Sequence, residues 1–76
     1  MADVVLYSLP ECPYCKMAKR YLQSKGIEFY DVNVAENTDA ARELFSITGQ
    51  KGVPVFRIKK KIIIGFDKKA LENALK

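Results

Sequence analysis

Val4-Val5-Leu6-Tyr7 is an uninterrupted apolar run, the pattern of a central strand buried on both faces. From Pro13 to Lys25 the period changes. Tyr14, Met17, Ala18, Tyr21 and Leu22 recur at i, i+3, i+4, i+7 and i+8, which predicts one face of a helix, with Lys16, Lys19, Arg20 and Gln23 on the other. Pro13 occupies an early helical position that tolerates proline, and Gly26 offers a left-handed stop. Tyr30, Val32 and Val34 then alternate with Asp31 and Asn33 as a strand does, while Ile27 and Phe29 have the opposite parity, so the strand starts late or carries a bulge. Asn37-Thr38-Asp39 supplies a cap and a first-turn acid for a second helix, with Ala40, Ala41, Leu44, Phe45 and Thr48 inward and Gly49 closing it.

Val53 to Ile58 and Ile62 to Ile64 are both rich in strand-forming residues, and the three lysines between them leave room only for a tight connection, which predicts a hairpin. Asp67 is a good N-cap for a last helix with Ala70, Leu71, Ala74 and Leu75 inward. The order is strand, helix, strand, helix, hairpin, helix. Two strands joined by a helix imply a right-handed parallel unit, and the hairpin extends the same sheet.

Composition narrows the class. A chain of 76 residues, 49% of them hydrophobic, suffices for one core and not for two, so residues 1–76 are read as one domain. Two cysteines three positions apart and no histidine exclude a disulfide-stapled scaffold and a self-contained four-ligand zinc site of the usual ligands. Neither a basic leader nor a long apolar run is present, and the expectation is a soluble, cytoplasmic monomer with no membrane partner. The net charge of +4 is ordinary for solubility and does not by itself argue for nucleic acid.

Cys12-Pro13-Tyr14-Cys15 falls after the first strand, where the first helix begins. Backbone N–H groups and the macrodipole at a helix N-terminus stabilise an anion, and the thiolate is the form that attacks disulfides. Cys12 is therefore the expected nucleophile. Cys15, one turn on, follows the face of Ala18 and Leu22, and is expected to be a shielded resolving thiol within reach of a mixed disulfide on Cys12. Two buried structural cysteines, or half of a metal site completed by another chain, are the competing readings; the strand–motif–helix context and the stiffening Pro13 favour redox chemistry.

At this point the chain resembles the glutaredoxins, over nearly its whole length. Cys12 to Cys15 is similar to their active-site C-P-Y-C, Thr48-Gly49-Gln50-Lys51-Gly52-Val53-Pro54 to their segment before the cis-proline, and Ile64-Gly65-Phe66-Asp67 to their Gly-Gly-x-Asp element. The resemblance implies an α/β minimal thioredoxin fold, β-α-β-α-β-β-α, a four-stranded mixed sheet flanked by three helices. It also implies a cis peptide before Pro54, no bound cofactor or metal, and glutathione as electron donor and co-substrate, with disulfide or glutathionylated proteins as substrates. On that carry-over, the Val53 N–H and C=O beside Pro54 pair with a cysteinyl substrate as a strand would. Gly65, Phe66 and Asp67 hold the γ-glutamyl end of glutathione, its carboxylate on helix N–H groups and its ammonium on the Asp67 side chain. Lys51 reaches the glycine carboxylate, and Tyr14 packs beside the tripeptide. Simpler roles stand beside each: an edge-strand proline, an N-cap aspartate, a solvated lysine, a core tyrosine.

The chain departs from the family pattern at Leu9, where many glutaredoxins carry a lysine, and at Ile64, where they carry a glycine; Glu11 adds a negative charge beside Cys12. These departures keep open a redoxin that takes electrons from thioredoxin reductase and reduces ribonucleotide reductase. From another class come an iron–sulfur scaffold bridging two chains through Cys12, and a nucleic-acid binder using Arg57, Lys59, Lys60 and Lys61. The proline after Cys12 speaks against the first, and lysines at a hairpin tip ordinarily solvate an edge.

Overall fold

The computed structural model describes residues 4–49 and 52–75. The elements in chain order are β1 (Val4–Ser8), α1 (Pro13–Ser24), β2 (Tyr30–Asn33), α2 (Thr38–Thr48), β3 (Val55–Ile58), β4 (Lys61–Ile64) and α3 (Lys68–Leu75). The sheet order is β2-β1-β3-β4, with β1 parallel to β2 and antiparallel to β3, and β3 antiparallel to β4. This is the expected minimal thioredoxin arrangement, three helices about a four-stranded mixed sheet.

The doubly apolar β1 explains the layering. Successive strand residues point to opposite faces. Val4 and Leu6 join Phe56, Ile58 and Ile63 under Ala18 and Leu22 of α1 and Leu71 of α3, whereas Tyr7 joins Val55 under Ala40 and Leu44 of α2. Ile27 and Phe29 pack against the α1 and α3 side, which is why their parity opposes that of Val32 and Val34, packed on the α2 side. The second strand does start late, at Tyr30.

The caps follow the sequence. Asn37 Oδ1 accepts the Ala40 N–H at 3.0 Å, and Gly49, at φ 71°, donates its N–H to the Phe45 carbonyl at 2.8 Å, a left-handed ending that a side chain would strain. Asp67 Oδ1 accepts the Ala70 N–H at 3.1 Å. The hairpin turns on Lys59 and Lys60, with Lys59 itself left-handed at φ 56°.

Three residues assigned inward from periodicity lie outside. Tyr14 is 61% exposed, Met17 47% and Phe45 50%. The covered face of α1 is Cys15, Ala18 and Leu22, and that of α2 is Ala40 and Leu44. Both apolar stripes are wider than the sheet that covers them. Lys19, placed on the solvent face by its charge, is instead half-buried against the sheet, where it pairs with Asp31.

Candidate active site

Pro13 can open α1 because the first helical N–H groups have no intrahelical acceptor. The N-cap before it is Cys12, with extended backbone, and its Sγ accepts the Cys15 N–H at 3.1 Å. A sulfur thus takes the place a serine or aspartate oxygen would occupy, facing the positive end of the helix. The Cys12 N–H donates to the Leu9 carbonyl at 3.3 Å and its carbonyl accepts the Lys16 N–H at 3.2 Å, which closes the loop onto the helix. Both thiols are free, Cys12 half-buried and Cys15 fully buried.

Burial pushes the Cys15 thiol up from 9.0 to about 11, and its hydrogen bond with Cys12 pushes in the same direction. A backbone hydrogen bond from Leu9 and the charge of Lys19 act against both. The two cysteines therefore differ in access. At mildly alkaline pH iodoacetamide is expected to label Cys12 and spare Cys15 in the folded protein, with peptide mapping as the check. A thiol whose folded pKa is raised keeps its proton longer folded than unfolded. The stability it contributes is complete below 9.0 and is lost as pH climbs towards about 11, and Cys15→Ala is expected to flatten that part of the melting-temperature profile.

The second wall of the site comes from the loop before β3. The Val53–Pro54 peptide is cis, and the Val53 carbonyl lies 4.0 Å from Cys12 Sγ. Pro54 is buried; its carbonyl accepts the Gly65 N–H at 2.8 Å, which sets the Gly65-Phe66-Asp67 turn beside the proline. Gly65 holds φ 84°, a conformation that favours glycine there. Phe66 is half-buried, edge-to-face on Tyr21 at 5.8 Å, and the exposed Asp67 caps α3. Capping is thus a role Asp67 fills in the protein alone.

Among the residues expected at the site, the fold brings Cys12 up to Cys15 on one side and Val53 on the other, and joins Pro54 to Gly65. Tyr14 stands exposed on the first turn of α1, free of the core role its spacing suggested. Lys51 lies outside the described residues. Among the described residues no group of three or more Cys, Asp or Glu side chains is arranged to hold a metal ion. Sequence reasoning missed Ser8, Asp31 and Lys19, which form a polar cluster beside α1. Its one visible signal was the four-residue spacing from Cys15 to Lys19.

The Glutaredoxin family model matches residues 4–63. An uncharacterized glutaredoxin-like 8.6 kDa protein in the rubredoxin operon of Clostridium pasteurianum is 44% identical over 72 residues, covering 95% of this chain and 96% of that one. Glutaredoxin 3 of Escherichia coli is 36% identical over 67 residues, covering 88% of this chain and 81% of its own length. Among solved structures, glutaredoxin grx-1 of Archaeoglobus fulgidus superposes with a TM-score of 0.89 at 27% identity, over 100% of this chain and 88% of that one. A buckwheat glutaredoxin–glutathione complex does so with a TM-score of 0.79 at 26% identity, over 96% and 72%. No helix among the described residues is long and apolar enough to cross a membrane. With a family model matched over most of the chain and relatives aligned nearly end to end, the protein belongs to the glutaredoxin family, a family of thiol oxidoreductases.

Proposed function

We propose that this protein is a glutathione-dependent thiol–disulfide oxidoreductase of the cytoplasm that reduces protein disulfides and glutathione mixed disulfides through Cys12 and Cys15. The observation that carries the proposal is the seat of Cys12 Sγ, on a helix N-cap, 3.1 Å from the Cys15 N–H and 4.0 Å from the Val53 carbonyl. The Cys12 sulfur faces the N–H groups of the helix end, and a cysteinyl substrate lying along Val53 presents its own sulfur to it.

With a glutathionylated protein, Cys12 attacks the glutathione sulfur. A Cys12–glutathione bond forms and the substrate thiolate leaves, to be protonated by water. A second glutathione thiolate then attacks the glutathione sulfur, giving glutathione disulfide and returning Cys12. With a protein disulfide, Cys12 first takes one substrate sulfur and Cys15 displaces it, leaving the Cys12–Cys15 disulfide for two glutathiones to reduce. The test is turnover of both substrate types with glutathione, glutathione reductase and NADPH. Sustained NADPH consumption is expected, and its absence defeats the proposal.

A second reading, a redoxin fed by thioredoxin reductase and serving ribonucleotide reductase, draws support from Leu9 and Glu11, which leave the rim beside Cys12 without the cation many glutaredoxins place there. Faster reduction by thioredoxin reductase than by glutathione would favour it. For the glutathione reading, Asp67→Ala is expected to raise KM for a glutathionylated peptide several-fold, with a smaller fall in kcat, because the contact persists through the reaction. An unchanged KM with a lower melting temperature would leave Asp67 as a cap only.

A further inference from the structure

Ser8 is the polar side chain that the described residues bury, 2% exposed, and a buried hydroxyl is costly unless it is bonded. Its Oγ donates to Asp31 Oδ1 at 2.6 Å, and the other carboxylate oxygen, Oδ2, meets Lys19 Nζ at 2.7 Å. The sheet register explains the meeting. Asp31 pairs with Leu6 in the parallel β1–β2 ladder, so it points, with Leu6 and Ser8, to the face that α1 covers. Lys19 follows Cys15 by four residues, and side chains so spaced stand next to each other on one helix face. Leu9, directly after Ser8, gives the backbone hydrogen bond to the Cys15 thiol.

Resting on the dithiol reading above, we propose that Lys19, held by Asp31 and Ser8, is a positioning residue for the resolving thiol, keeping an ammonium beside Cys15 where its thiolate forms. The step it serves is the attack of Cys15 on the mixed disulfide of Cys12. Cys15 loses its proton to water, a Cys12–Cys15 bond forms, the Cys12–substrate bond breaks, and the substrate sulfur leaves with the electron pair and takes up a proton. Burial opposes that thiolate. Among the described residues the charged groups acting on it are Cys12 at the helix tip and Lys19 one turn on, with Asp31 reaching it only through Lys19. Lys19 and Asp31 are 31% and 39% exposed, so the field is partly screened, and Asp31 neutralises some of it. What the clamp supplies is orientation: an untethered lysine would extend into water.

The test uses two readouts. In a Cys12→Ser background, the 13Cβ chemical shift of Cys15 follows that thiol alone, apart from the four tyrosines whose ionisation overlaps thiolate absorbance at alkaline pH. Lys19→Met, which keeps the aliphatic stem, is expected to raise the pH midpoint by about half a unit, Lys19→Arg to restore it, and Ser8→Ala to move it part of the way. In the protein with both cysteines, Lys19→Met is expected to lower the ratio of dithiol to monothiol turnover about twofold. The thiolate fraction falls about threefold, and the greater nucleophilicity of a more basic thiolate returns part of the loss. An unchanged midpoint in Lys19→Met, or equal shifts in the Met and Arg variants, overturns the proposal. Should the unaltered protein turn over no disulfide, the exchange reading fails instead, while the thiolate midpoint still decides whether Lys19 acts on Cys15.

Discussion

Cys12→Ser is expected to reduce turnover of both glutathione mixed disulfides and protein disulfides to the uncatalysed level, because the substituted hydroxyl keeps the N-cap but removes the nucleophile. Cys15→Ser is expected to behave otherwise. It retains exchange with glutathione mixed disulfides, which needs Cys12 alone, and loses most reduction of protein disulfides, whose release needs a second thiol. The motive is the contrast between a half-buried sulfur at the helix tip and a fully buried one a turn below, with its proton held to about 11. Parallel assays on the two substrate types check it. If both variants are equally inactive in both assays, the division of labour is wrong.

Phe56→Ala is expected to cost the most stability. Phe56 is fully buried in β3, opposite Leu6 of β1 and Ile63 of β4, in the cluster that also takes Leu22 and Leu71 from the helices. Removing a buried Phe ring costs about 3–5 kcal/mol, against the roughly 4–11 kcal/mol available to a domain of this length. A fall in melting temperature of at least about 12 °C follows, since each kcal/mol moves a domain of this size by about 4–8 °C. Tyr14→Ala is the contrasting case. With its ring in solvent, it is expected to stay within about 0.5 kcal/mol in a urea melt and to show its loss in KM for glutathionylated substrate instead.

Most of the architecture was legible because β1 is apolar on both faces and each helix carries its own cap. Asn37 and Asp67 sit at the helix starts where their side chains suggested, and Gly49 ends α2 where its backbone freedom suggested. Periodicity misplaced Tyr14, Met17 and Phe45 because it reports how wide an apolar stripe is, and not how far the neighbouring layer reaches over it. The cysteine pair and the cis-proline segment were legible as motifs, but their apposition across 41 residues of chain, Cys12 Sγ to the Val53 carbonyl, is a product of the fold. Of the Ser8–Asp31–Lys19 cluster, only the spacing of Lys19 from Cys15 was legible. The rest depends on the parallel register that sets Asp31 beside Leu6, which no local pattern encodes.

The most direct test of the central claim is the product formed when the reduced protein meets one equivalent of glutathione disulfide. Intact mass and non-reducing peptide mapping are expected to show a Cys12–Cys15 disulfide with two hydrogens lost, and in the Cys15→Ser variant a single glutathione retained on Cys12. A protein that remains reduced, or that carries glutathione on Cys15 while Cys12 stays free, would contradict it.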